Sequence, residues 1–463
     1  MPEDIIEKLH KLLGSDGVLT GEDVSSRAAG FFQKQGMEAR AIVRPRSTEE
    51  TAAVMKACHE AGQSVIAHGG KTGLAEAHMS TTGDLVLSLE RMNRIEELDQ
   101  AGRTMTVQGG TPLQVIQERA DEAGLSFQVD LGARGSCTIG GNVSTNAGGN
   151  RVIRYGMTRE NILGLEAVLA DGTVISSMNK MIKNNAGYDL KQLFIGTEGT
   201  LGIVTRVVLR LREKAKSQST ALVAIDDFSR IIAFLKYIDR ELGGHLSAFE
   251  VMWQDFYALV TTPPAQSKPP LEQDYPYYVL VESLGADQDK DNEHFQQVLM
   301  QALDDGLLVD VVVAKSLAER NAMWAFRDDV EQMTRFGPPF IFDVSLQIKD
   351  MEQYVETVKE ALDKAWPDSR CFTFGHLGDG NLHYNIVVGD FSEAARHNVE
   401  SIVYTPLQAI NGSVSAEHGI GLEKKPYLSL CRNEAEIDLM RRLKSTLDPM
   451  HILNPGKIFD IAD

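Results

Sequence analysis

The chain has 463 residues, of which 43% are hydrophobic and 24% are charged, and its formal net charge is −19 at pH 7. A soluble chain of this length can form about two or three hydrophobic cores. The acidic balance argues against a nucleic-acid groove and against a broadly basic membrane face, because most of the surface would repel phosphates. The four cysteines are too few and too scattered for a disulfide scaffold.

The N-terminal segment predicts an amphipathic first helix rather than a secretory signal. Apolar residues recur there with helical spacing at Ile5, Ile6, Leu9, Leu12 and Leu13, and acidic residues interrupt the apolar stretch. No apolar run of the sequence approaches the ~20 residues of a membrane span. The sequence therefore predicts a cytoplasmic protein, and it leaves peripheral attachment to a membrane open.

Residues 41–213 alternate short β-rich runs with helical patterns, which predicts a mixed α/β or α+β region. Helices are predicted over Thr48–Gly62, which opens with a capping box of Ser47 and Glu50, and over Thr111–Gly124. The predicted strands are Val65–Ala67, Leu85–Leu89, Met105–Val107, Leu165–Leu169 and Ile203–Leu211.

Glycine is concentrated between Gly132 and Gly149, where it fills six of eighteen positions. A core helix or strand tolerates such a density poorly, so we predict an ordered loop that passes close to a ligand. A flexible Gly/Ser linker is the alternative, although linkers rarely contain apolar residues such as Ile139 and Val143.

The composition changes after Arg212, and the polar stretch 214–220 predicts a domain boundary. A second α+β domain is predicted over residues 221–410. Its predicted elements are strands at 277–283 and 309–314, amphipathic helices near 226–242, 289–304 and 350–365, and a Pro-rich surface loop or lid at 261–270. The last 50 residues predict a helix over 434–448 and an irregular tail.

Two glycine-rich turns offer backbone amides to a phosphate. HGGKTG (68–73) follows a strand-like run, but it is not a Walker A motif because Val65 occupies the position of the first required Gly. A plain tight turn is the simpler interpretation of this segment alone. The turn GTEGTLG (196–202) precedes a strand and is equally compatible with a simple β-turn-β element.

Residues 372–388 predict a β-hairpin with a Gly-Asp-Gly-Asn turn. If Asp379 and Gly380 are the two loop residues, His376 lies directly opposite His383. The two imidazoles then share a face at a Cβ separation of about 5 Å, with Asn385 two residues along. Such a pair forms half of a transition-metal site, and two hydrogen-bonded structural histidines are the alternative.

A third metal ligand is available in Glu417, which is followed by His418. Two imidazoles with one carboxylate leave coordination positions open, as catalytic metals require, and zinc or manganese suits this donor set. Upstream, Arg327 lies in an apolar-acidic helical pattern. It either clamps a substrate carboxylate through two parallel contacts or pairs with Glu331 at i+4.

Together these motifs resemble a known group of flavoproteins. The segments 68–73, 130–150, 184–211, 372–388 and 413–421 are similar, in the same order, to FAD-dependent D-2-hydroxyacid dehydrogenases of the vanillyl-alcohol oxidase / p-cresol methylhydroxylase (PCMH) superfamily, which include D-2-hydroxyglutarate and D-lactate dehydrogenases. The resemblance implies an α+β fold with a PCMH-type FAD-binding domain (1–213), an α+β substrate or cap domain (214–410) and a C-terminal segment (411–463) that returns to the active site.

The resemblance also implies how FAD is bound. Some superfamily members attach flavin to a His after the paired glycines, and Lys71 stands at that place here, so FAD is expected to be non-covalent. The loop 68–73 and the long glycine-rich segment 130–150 would hold the pyrophosphate and ribityl chain. The implied FAD-binding residues are His68, Gly69, Gly70, Lys71, Thr72, Gly73, Leu74, Asp130, Gly132, Ser136, Thr138, Gly140, Gly141, Ser144, Asn146, Gly148, Gly149, Tyr155, Glu198, Gly202, Ile203 and Asn454.

For catalysis, the resemblance implies that His376, His383 and Glu417 bind a divalent metal, zinc or manganese. Arg327, Asn385 and His418 would meet the substrate. The implied reaction oxidises a D-2-hydroxy acid to the 2-oxo acid: the metal polarises the hydroxyl, His418 removes its proton and the C2 hydride passes to flavin N5.

One departure from the family bears on the substrate. Hydroxyglutarate-specific relatives carry a Lys at the place of Ile341 and a Thr at the place of Glu331, and Arg335 is the nearby cation that could substitute. The change makes a smaller or more apolar D-2-hydroxy acid plausible.

Other functions and partners are left open at this stage. The alternatives are a flavin electron-relay protein without its own substrate oxidation and a metal-dependent hydrolase. The electron acceptor is unidentified (an electron-transfer flavoprotein, a quinone or a cytochrome), and a homodimer is left open.

Overall fold

The computed structural model describes residues 4–31, 33 and 35–461. In chain order its α-helices are α1 (Ile5–Leu13), α2 (Glu22–Ser25), α3 (Thr48–Ala61), α4 (Leu113–Glu122), α5 (Ile139–Thr145), α6 (Val152–Tyr155), α7 (Phe228–Glu241), α8 (Gln254–Thr261), α9 (Gln288–Asp304), α10 (Leu317–Asp328), α11 (Met351–Ala365), α12 (Glu393–Ala409) and α13 (Glu434–Leu447). Short 3₁₀ turns lie at Ser15–Gly17, Thr158–Asn161, Leu190–Leu193, Val330–Phe336, Ile348–Asp350, Leu377–Asp379 and Lys425–Leu430.

The β-strands complete a mixed fold, so the predicted α+β class is confirmed. They are β1 (Val18–Leu19), β2 (Ala41–Val43), β3 (Val65–His68), β4 (Leu85–Ser88), β5 (Ile95–Asp99), β6 (Thr104–Gln108), β7 (Leu125–Ser126), β8 (Ile162–Val168), β9 (Val174–Ser177), β10 (Ile203–Arg210), β11 (Arg212–Glu213), β12 (Ser217–Ile225), β13 (Leu246–Trp253), β14 (Tyr277–Gly285), β15 (Asp310–Val313), β16 (Phe340–Ser345), β17 (Arg370–Gly375) and β18 (Asn381–Val387).

The chain folds as two compact units. The first comprises Met1–Gly149, Gly156–Lys214 and Glu417–Asp463, and the second comprises Asn150–Tyr155 and Ala215–Ala416. This division differs from the predicted domains 1–213, 214–410 and 411–463, because residues 150–155 and 411–416 group with the second unit. The predicted polar joint 214–220 is also shorter than expected, since β12 begins at Ser217.

The first unit is built on two main sheets. Strands β2, β4 and β3 are parallel, and β1 extends this sheet in the order β1-β2-β4-β3. The other sheet is antiparallel with the order β5-β6-β10-β8-β9. Helix α3 begins as predicted, because the Ser47 side chain accepts from the Glu50 amide at 3.2 Å. The carboxylate of Glu50 accepts from the Arg46 amide instead of that of Ser47, so only half of the predicted capping box forms.

The prediction that residues 132–149 form a loop is wrong for Ile139–Thr145, which form helix α5. Ile139 and Val143 lie one helical turn apart and are both fully buried in the core of this unit. Gly140 packs directly on the backbone of Gly109, where a Cβ would lie 2.8 Å from the carbonyl oxygen. The glycines therefore permit a close helix-to-backbone contact instead of breaking the helix.

The second unit contains one seven-stranded antiparallel sheet with the order β15-β12-β14-β13-β17-β18-β16. The predicted hairpin is present as β17 and β18, but its predicted register is wrong by two residues, since Phe374 and not His376 pairs with His383. The chain leaves β17 after Gly375 and forms a 3₁₀ turn at Leu377–Asp379, so the loop is longer than a two-residue turn. Because side chains alternate between faces, a shift of two residues keeps both histidines on one face.

Among the described residues, no helix combines the length and the apolar character needed to cross a bilayer.

Candidate functional site

In the first unit, the glycine-rich loop 68–73 packs against the glycine-rich segment around Ser136 and Thr138. A Cβ at Gly70 would lie 2.1 Å from the carbonyl oxygen of Ser136, and one at Gly69 would lie 2.6 Å from the hydroxyl of Thr138. Only glycine allows this approach, because any side chain would collide with the facing backbone or hydroxyl. Segments 68–73 and 136–141 thus form one continuous surface of small residues and backbone amides.

Two buried polar groups in or next to this surface have no hydrogen-bond partner within the part of the chain that the structure describes. The Thr138 hydroxyl is buried, faces Gly69 and makes no hydrogen bond there, and the side-chain oxygen of Asn142 is in the same situation. Buried polar groups are normally satisfied, so such an orphan indicates a missing ligand or water. Sequence reasoning missed Asn142, although it lies in the same GGNVSTN run.

Several of the predicted FAD-binding side chains instead bond to the protein. His68 Nε2 contacts the His78 carbonyl at 2.7 Å, and burial lowers the pKa of His68 to about 3. The Lys71 ammonium donates to the Ala28 carbonyl at 2.6 Å, and Asn146 Oδ1 accepts from the Arg159 amide at 2.9 Å. The backbones of these residues remain in the loops, so their side chains serve to fix loop shape.

All but one of the remaining predicted FAD-binding residues belong to the first unit. Gly73 and Gly132 face open space, and Ile203 begins the buried strand β10. Tyr155 is the exception, since it ends helix α6 and groups with the second unit. The others in the first unit are Gly69, Gly70, Thr72, Leu74, Asp130, Ser136, Gly140, Gly141, Ser144, Gly148, Gly149 and Gly202.

Asn454 joins strand β3, just before the loop 68–73, to the GTEGTLG turn. Its Oδ1 accepts from the Ala67 amide at 2.8 Å, and its Nδ2 donates to the Glu198 carbonyl at 2.6 Å. Two buried residues that the sequence did not reveal hold the tail there: Lys444 Nζ bonds to Asp448 Oδ2 and to the Leu453 carbonyl, each at 2.6 Å. The C-terminal tail is therefore a structural part of the first unit, next to the surface formed by segments 68–73 and 136–141.

Glu198 holds the segment that contains His418. Its two carboxylate oxygens accept from the amides of Ile420 and Gly421 at 2.7 and 2.8 Å. The side chain is buried, and burial raises the pKa of the Glu198 carboxyl. The predicted metal ligand Glu417 lies in the same segment, and its Oε1 accepts from the Gly149 amide at 2.6 Å. In this unit Glu198 acts on the protein backbone, a role that its predicted place among the FAD-binding residues did not foresee.

In the second unit a buried carboxylate joins Arg327 to His376. Glu250 Oε1 lies 2.6 Å from His376 Nδ1, and Glu250 Oε2 lies 2.8 Å from Arg327 Nε and 2.7 Å from Arg327 Nη2. Burial opposes ionisation of Glu250, but His376 and Arg327 outweigh it and lower the pKa of this carboxyl to about 2. Sequence reasoning missed Glu250; its one signal was a lone acid in the apolar run AFEVMW (248–253).

The two predicted histidine ligands meet on the same face of the sheet. The ring centroids of His376 and His383 are 5.2 Å apart, and the rings are nearly perpendicular at 84°. His383 also lies 3.9 Å from the buried carboxylate of Asp343, its cross-strand partner on β16. Asn385, predicted to share this face, follows two residues along β18 and is buried.

Asp343 also fixes the end of the second unit. Its Oδ1 accepts from Asn381 Nδ2 at 2.6 Å, and its Oδ2 accepts from the Ala416 amide at 3.1 Å.

The side chain of Arg335, the predicted substitute cation, donates to the carbonyls of Leu259 and Thr262, so it caps helix α8. Within this unit the structure thus brings Arg327, His376, His383 and Asn385 to one face of the sheet, while Arg335 serves a helix end.

Comparison with known proteins identifies both halves of the chain. Residues 39–177 match the family described as "FAD binding domain", and residues 214–458 match "FAD linked oxidases, C-terminal domain". A D-2-hydroxyglutarate dehydrogenase of Xanthomonas citri is 39% identical over 428 residues, which cover 91% of this chain and 90% of that protein. A mitochondrial D-2-hydroxyglutarate dehydrogenase of Bos taurus is 35% identical over 457 residues, which cover 98% and 83%.

Solved structures show the same architecture. A p-cresol methylhydroxylase crystal structure with substrate bound matches with a TM-score of 0.77 at 14% identity, covering 99% of this chain and 97% of that one. An alkyldihydroxyacetonephosphate synthase matches with a TM-score of 0.76 at 17% identity, covering 99% and 86%. The predicted PCMH-type fold and the predicted resemblance are therefore confirmed, while the cytoplasmic location stays a prediction.

Proposed function

From the premise that the chain belongs to the FAD-linked oxidase family and is an FAD-dependent oxidoreductase, we propose that it oxidises a D-2-hydroxy acid to the 2-oxo acid with the help of a divalent metal. The observation that carries the proposal is the buried group of Arg327, His376 and His383 on one sheet face, in a chain that also has an FAD-binding domain. A guanidinium binds a carboxylate, and two imidazoles bind a metal. The proposed oxidation requires both, because the substrate carboxylate must be held and its hydroxyl must be polarised.

The first unit fits FAD. The surface formed by residues 68–73 and 136–141 offers backbone amides, and the buried Thr138 hydroxyl has no partner among the described residues. These donors suit the pyrophosphate. When bound, FAD supplies the acceptor for the two electrons and the hydrogen that leave C2 of the substrate. The side chain of Lys71 bonds to a backbone carbonyl, which agrees with non-covalent binding.

The donor set of the second unit fits zinc or manganese. Glu250 contacts His376 Nδ1, which leaves Nε2 as the nitrogen for a metal and is the usual way to orient a ligand imidazole. Glu417 would be the third ligand: it is the residue after Ala416, whose amide bonds to Asp343, the cross-strand partner of His383. When bound, a divalent cation supplies a Lewis acid that lowers the pKa of the substrate hydroxyl.

The protein side chains then position the substrate and move one proton. Arg327 binds the substrate carboxylate, and Asn385 donates a hydrogen bond from the same sheet face. His418 accepts the hydroxyl proton, a role that suits an imidazole because it ordinarily titrates near neutral pH. The hydroxyl thus loses its proton to His418 and C2 loses its hydrogen with both bonding electrons, which leaves the 2-oxo acid.

Glu198→Gln should slow this reaction without removing FAD. The amide group of Gln offers one acceptor oxygen, so one of the two backbone contacts that hold the His418 segment is lost. Misplacing a catalytic group by about 1 Å can cost about 100-fold in rate, and we expect a loss of about 10- to 100-fold. The measurement is the rate of anaerobic flavin reduction, together with the visible flavin spectrum.

The matched control is Glu166→Gln, which removes another buried carboxylate of the same unit. Glu166 accepts from Thr48 and Ser176 and has no contact with residues 418–421 among its described hydrogen bonds. Equal rates for Glu198→Gln and the wild type, or equal losses in both variants, would show that Glu198 does not position His418.

Ile341 makes the substrate preference differ from that of the relatives named D-2-hydroxyglutarate dehydrogenase. It lies directly opposite Asn385 on edge strand β16, so the two side chains share a face, and it is 37% exposed. An apolar group beside the substrate site favours an acid with a small or apolar side chain over one with a distal carboxylate.

Ile341→Lys should therefore raise kcat/KM for D-2-hydroxyglutarate and lower it for apolar D-2-hydroxy acids. A partly exposed ion pair contributes at most about 1 kcal/mol, so the gain should be roughly fivefold. Ile341→Met is the control, because it changes shape without adding charge. Steady-state kinetics of the three proteins with both substrate types decide the matter: equal changes in both variants would exclude a charge effect.

The proposed function is tested by an anaerobic screen. The purified protein is mixed with D- and L-2-hydroxy acids of increasing side-chain size, and loss of visible flavin absorbance is followed. Bleaching by D-acids and not by their L-enantiomers is the expected result. A yellow protein that no 2-hydroxy acid bleaches would contradict the proposal and favour an electron-relay role.

A further inference from the structure

We propose that Glu250 is a positioning residue that couples the metal ligand His376 to the substrate-binding Arg327. The inference rests on the proposed function, because it assumes that these two side chains serve metal and substrate. The single carboxylate of Glu250 sets the orientation of both side chains, His376 and Arg327.

The contacts of Glu250 are divided between the two partners. Oε1 faces His376 Nδ1 at 2.6 Å, whereas Oε2 faces Nε and Nη2 of Arg327 at 2.8 and 2.7 Å. All three side chains are buried, with exposed side-chain fractions of 1% for Glu250, 6% for His376 and 8% for Arg327. No bulk water competes at such a site, so these hydrogen bonds determine where the groups point.

For His376, the contact at Nδ1 selects the ring nitrogen that can bind metal. A carboxylate on one imidazole nitrogen fixes the ring orientation and makes the other nitrogen a better ligand. The nearly perpendicular packing of His376 on His383 limits the rotation of the ring further. Glu250 therefore prepares the metal site from behind His376.

For Arg327, the Nε–H donates to Glu250 Oε2 at 2.8 Å, and Nη2 lies 2.7 Å from the same oxygen as an ion-pair contact. Two contacts to one oxygen orient the guanidinium. The ring of Phe374 lies 5.0 Å from the guanidinium carbon and supports the same plane. The carboxylate also balances the buried positive charge, so that Arg327 can remain in the site before substrate arrives. A substrate carboxylate would then meet an oriented partner.

The position of Glu250 in the sheet makes this coupling rigid. It lies in β13, which pairs with β14 on one side and with β17, the strand before His376, on the other. Arg327 comes from helix α10. Helix and strand are thus held to one central carboxylate at sequence separations of 77 and 126 residues.

The chain offers a closely matched control on the neighbouring strand. Glu282 in β14 is also fully buried and also binds an arginine, with Arg151 Nη2 3.0 Å from its Oε1. Its other partners include Gln218 Nε2, the Ser247 hydroxyl and Trp324 Nε1. None of these residues belongs to the proposed metal or substrate site.

The test compares Glu250→Gln, Glu250→Asp and Glu282→Gln in the FAD-loaded protein. Bound Zn²⁺ and Mn²⁺ are measured by elemental analysis during titration with a chelator, and KM is measured with the best D-2-hydroxy acid. Outer-shell partners of metal ligands typically change affinity about 10- to 100-fold, and we expect that loss in Glu250→Gln together with a raised KM. Glu250→Asp keeps the charge but is one methylene shorter, so it should give an intermediate loss. Glu282→Gln should retain metal.

Wild-type metal affinity and KM in both Glu250 variants would overturn the inference, as would equal metal loss in Glu282→Gln. If Glu250→Gln does not fold, the Asp variant decides alone. The metal titration needs no substrate, so it is separate from the proposed function: metal-loaded wild-type protein that no 2-hydroxy acid reduces would contradict the function and leave the metal comparison intact.

Discussion

Replacing His418 with Ala is expected to lower the rate of flavin reduction by about 10²- to 10⁴-fold, the usual contribution of a positioned general base. The variant should keep its FAD, because the close contacts between residues 68–73 and 136–141 and the two Asn454 hydrogen bonds are made by other residues. It should also keep its metal, because His418 is not among the proposed ligands. Single-turnover reduction under anaerobic conditions measures the effect without interference from the unknown electron acceptor.

The control is His59→Ala, which removes an imidazole from helix α3 of the same unit and outside every candidate segment. Its reduction rate should equal that of the wild type. A His418→Ala variant that reduces its flavin at a near-wild-type rate would remove His418 as the base. Loss of FAD in that variant would mean that the residue has a structural role instead.

The second large effect is expected on the metal. His376→Ala and His383→Ala each remove one of three proposed ligands, and both should abolish tight binding of Zn²⁺ or Mn²⁺. Turnover should fall steeply in both, because Lewis-acid activation is worth several kcal/mol of transition-state stabilisation. FAD content should be unchanged, since both histidines lie in the second unit and the surface formed by segments 68–73 and 136–141 lies in the first.

Elemental analysis of the two variants beside the wild type is the measurement. His397→Ala, which removes an exposed imidazole from helix α12, serves as the control for nonspecific binding of metal to histidine. Unchanged metal in His376→Ala and His383→Ala would exclude the proposed metal site. A parallel loss in His397→Ala would indicate only nonspecific binding.

Much of the local structure could be predicted from the sequence. Alternation and turn residues predicted the hairpin of β17 and β18, and the shared face of His376 and His383 followed from the two-residue period of a strand. The register could not be predicted, because Leu377–Asp379 could form either part of a strand or a 3₁₀ turn. The prediction that His376 and His383 share a face was correct despite the wrong register, because the register shift was an even number of residues.

The glycine-rich segment shows a different limit. High glycine content predicts a loop, but the structure forms helix α5 because Gly140 can touch the backbone of Gly109. That contact depends on the packing of a distant segment, which one sequence does not reveal. Intrinsic preference was overridden by tertiary contact.

The residues that organise the site were missed for the same reason. Glu250, Lys444 and Asp448 are buried charges whose roles depend on the residues that they contact. The two partners of Glu250 are 77 and 126 residues away in the sequence. Glu198 stood among the predicted FAD-binding residues, yet its carboxylate holds the amides of Ile420 and Gly421. Sequence motifs predicted which groups would touch ligands, whereas the groups that position these residues could be found only from the fold.

The most direct test of the whole account is anaerobic reduction of the bound flavin by a D-2-hydroxy acid that carries deuterium at C2. If the C2 hydrogen leaves with its electron pair while the substrate is held by Arg327 and the metal, the deuterated D-acid must bleach the flavin more slowly than the unlabelled D-acid. The L-acid must not bleach it at all. Bleaching that is equally fast with both isotopes, or with both enantiomers, would contradict the account.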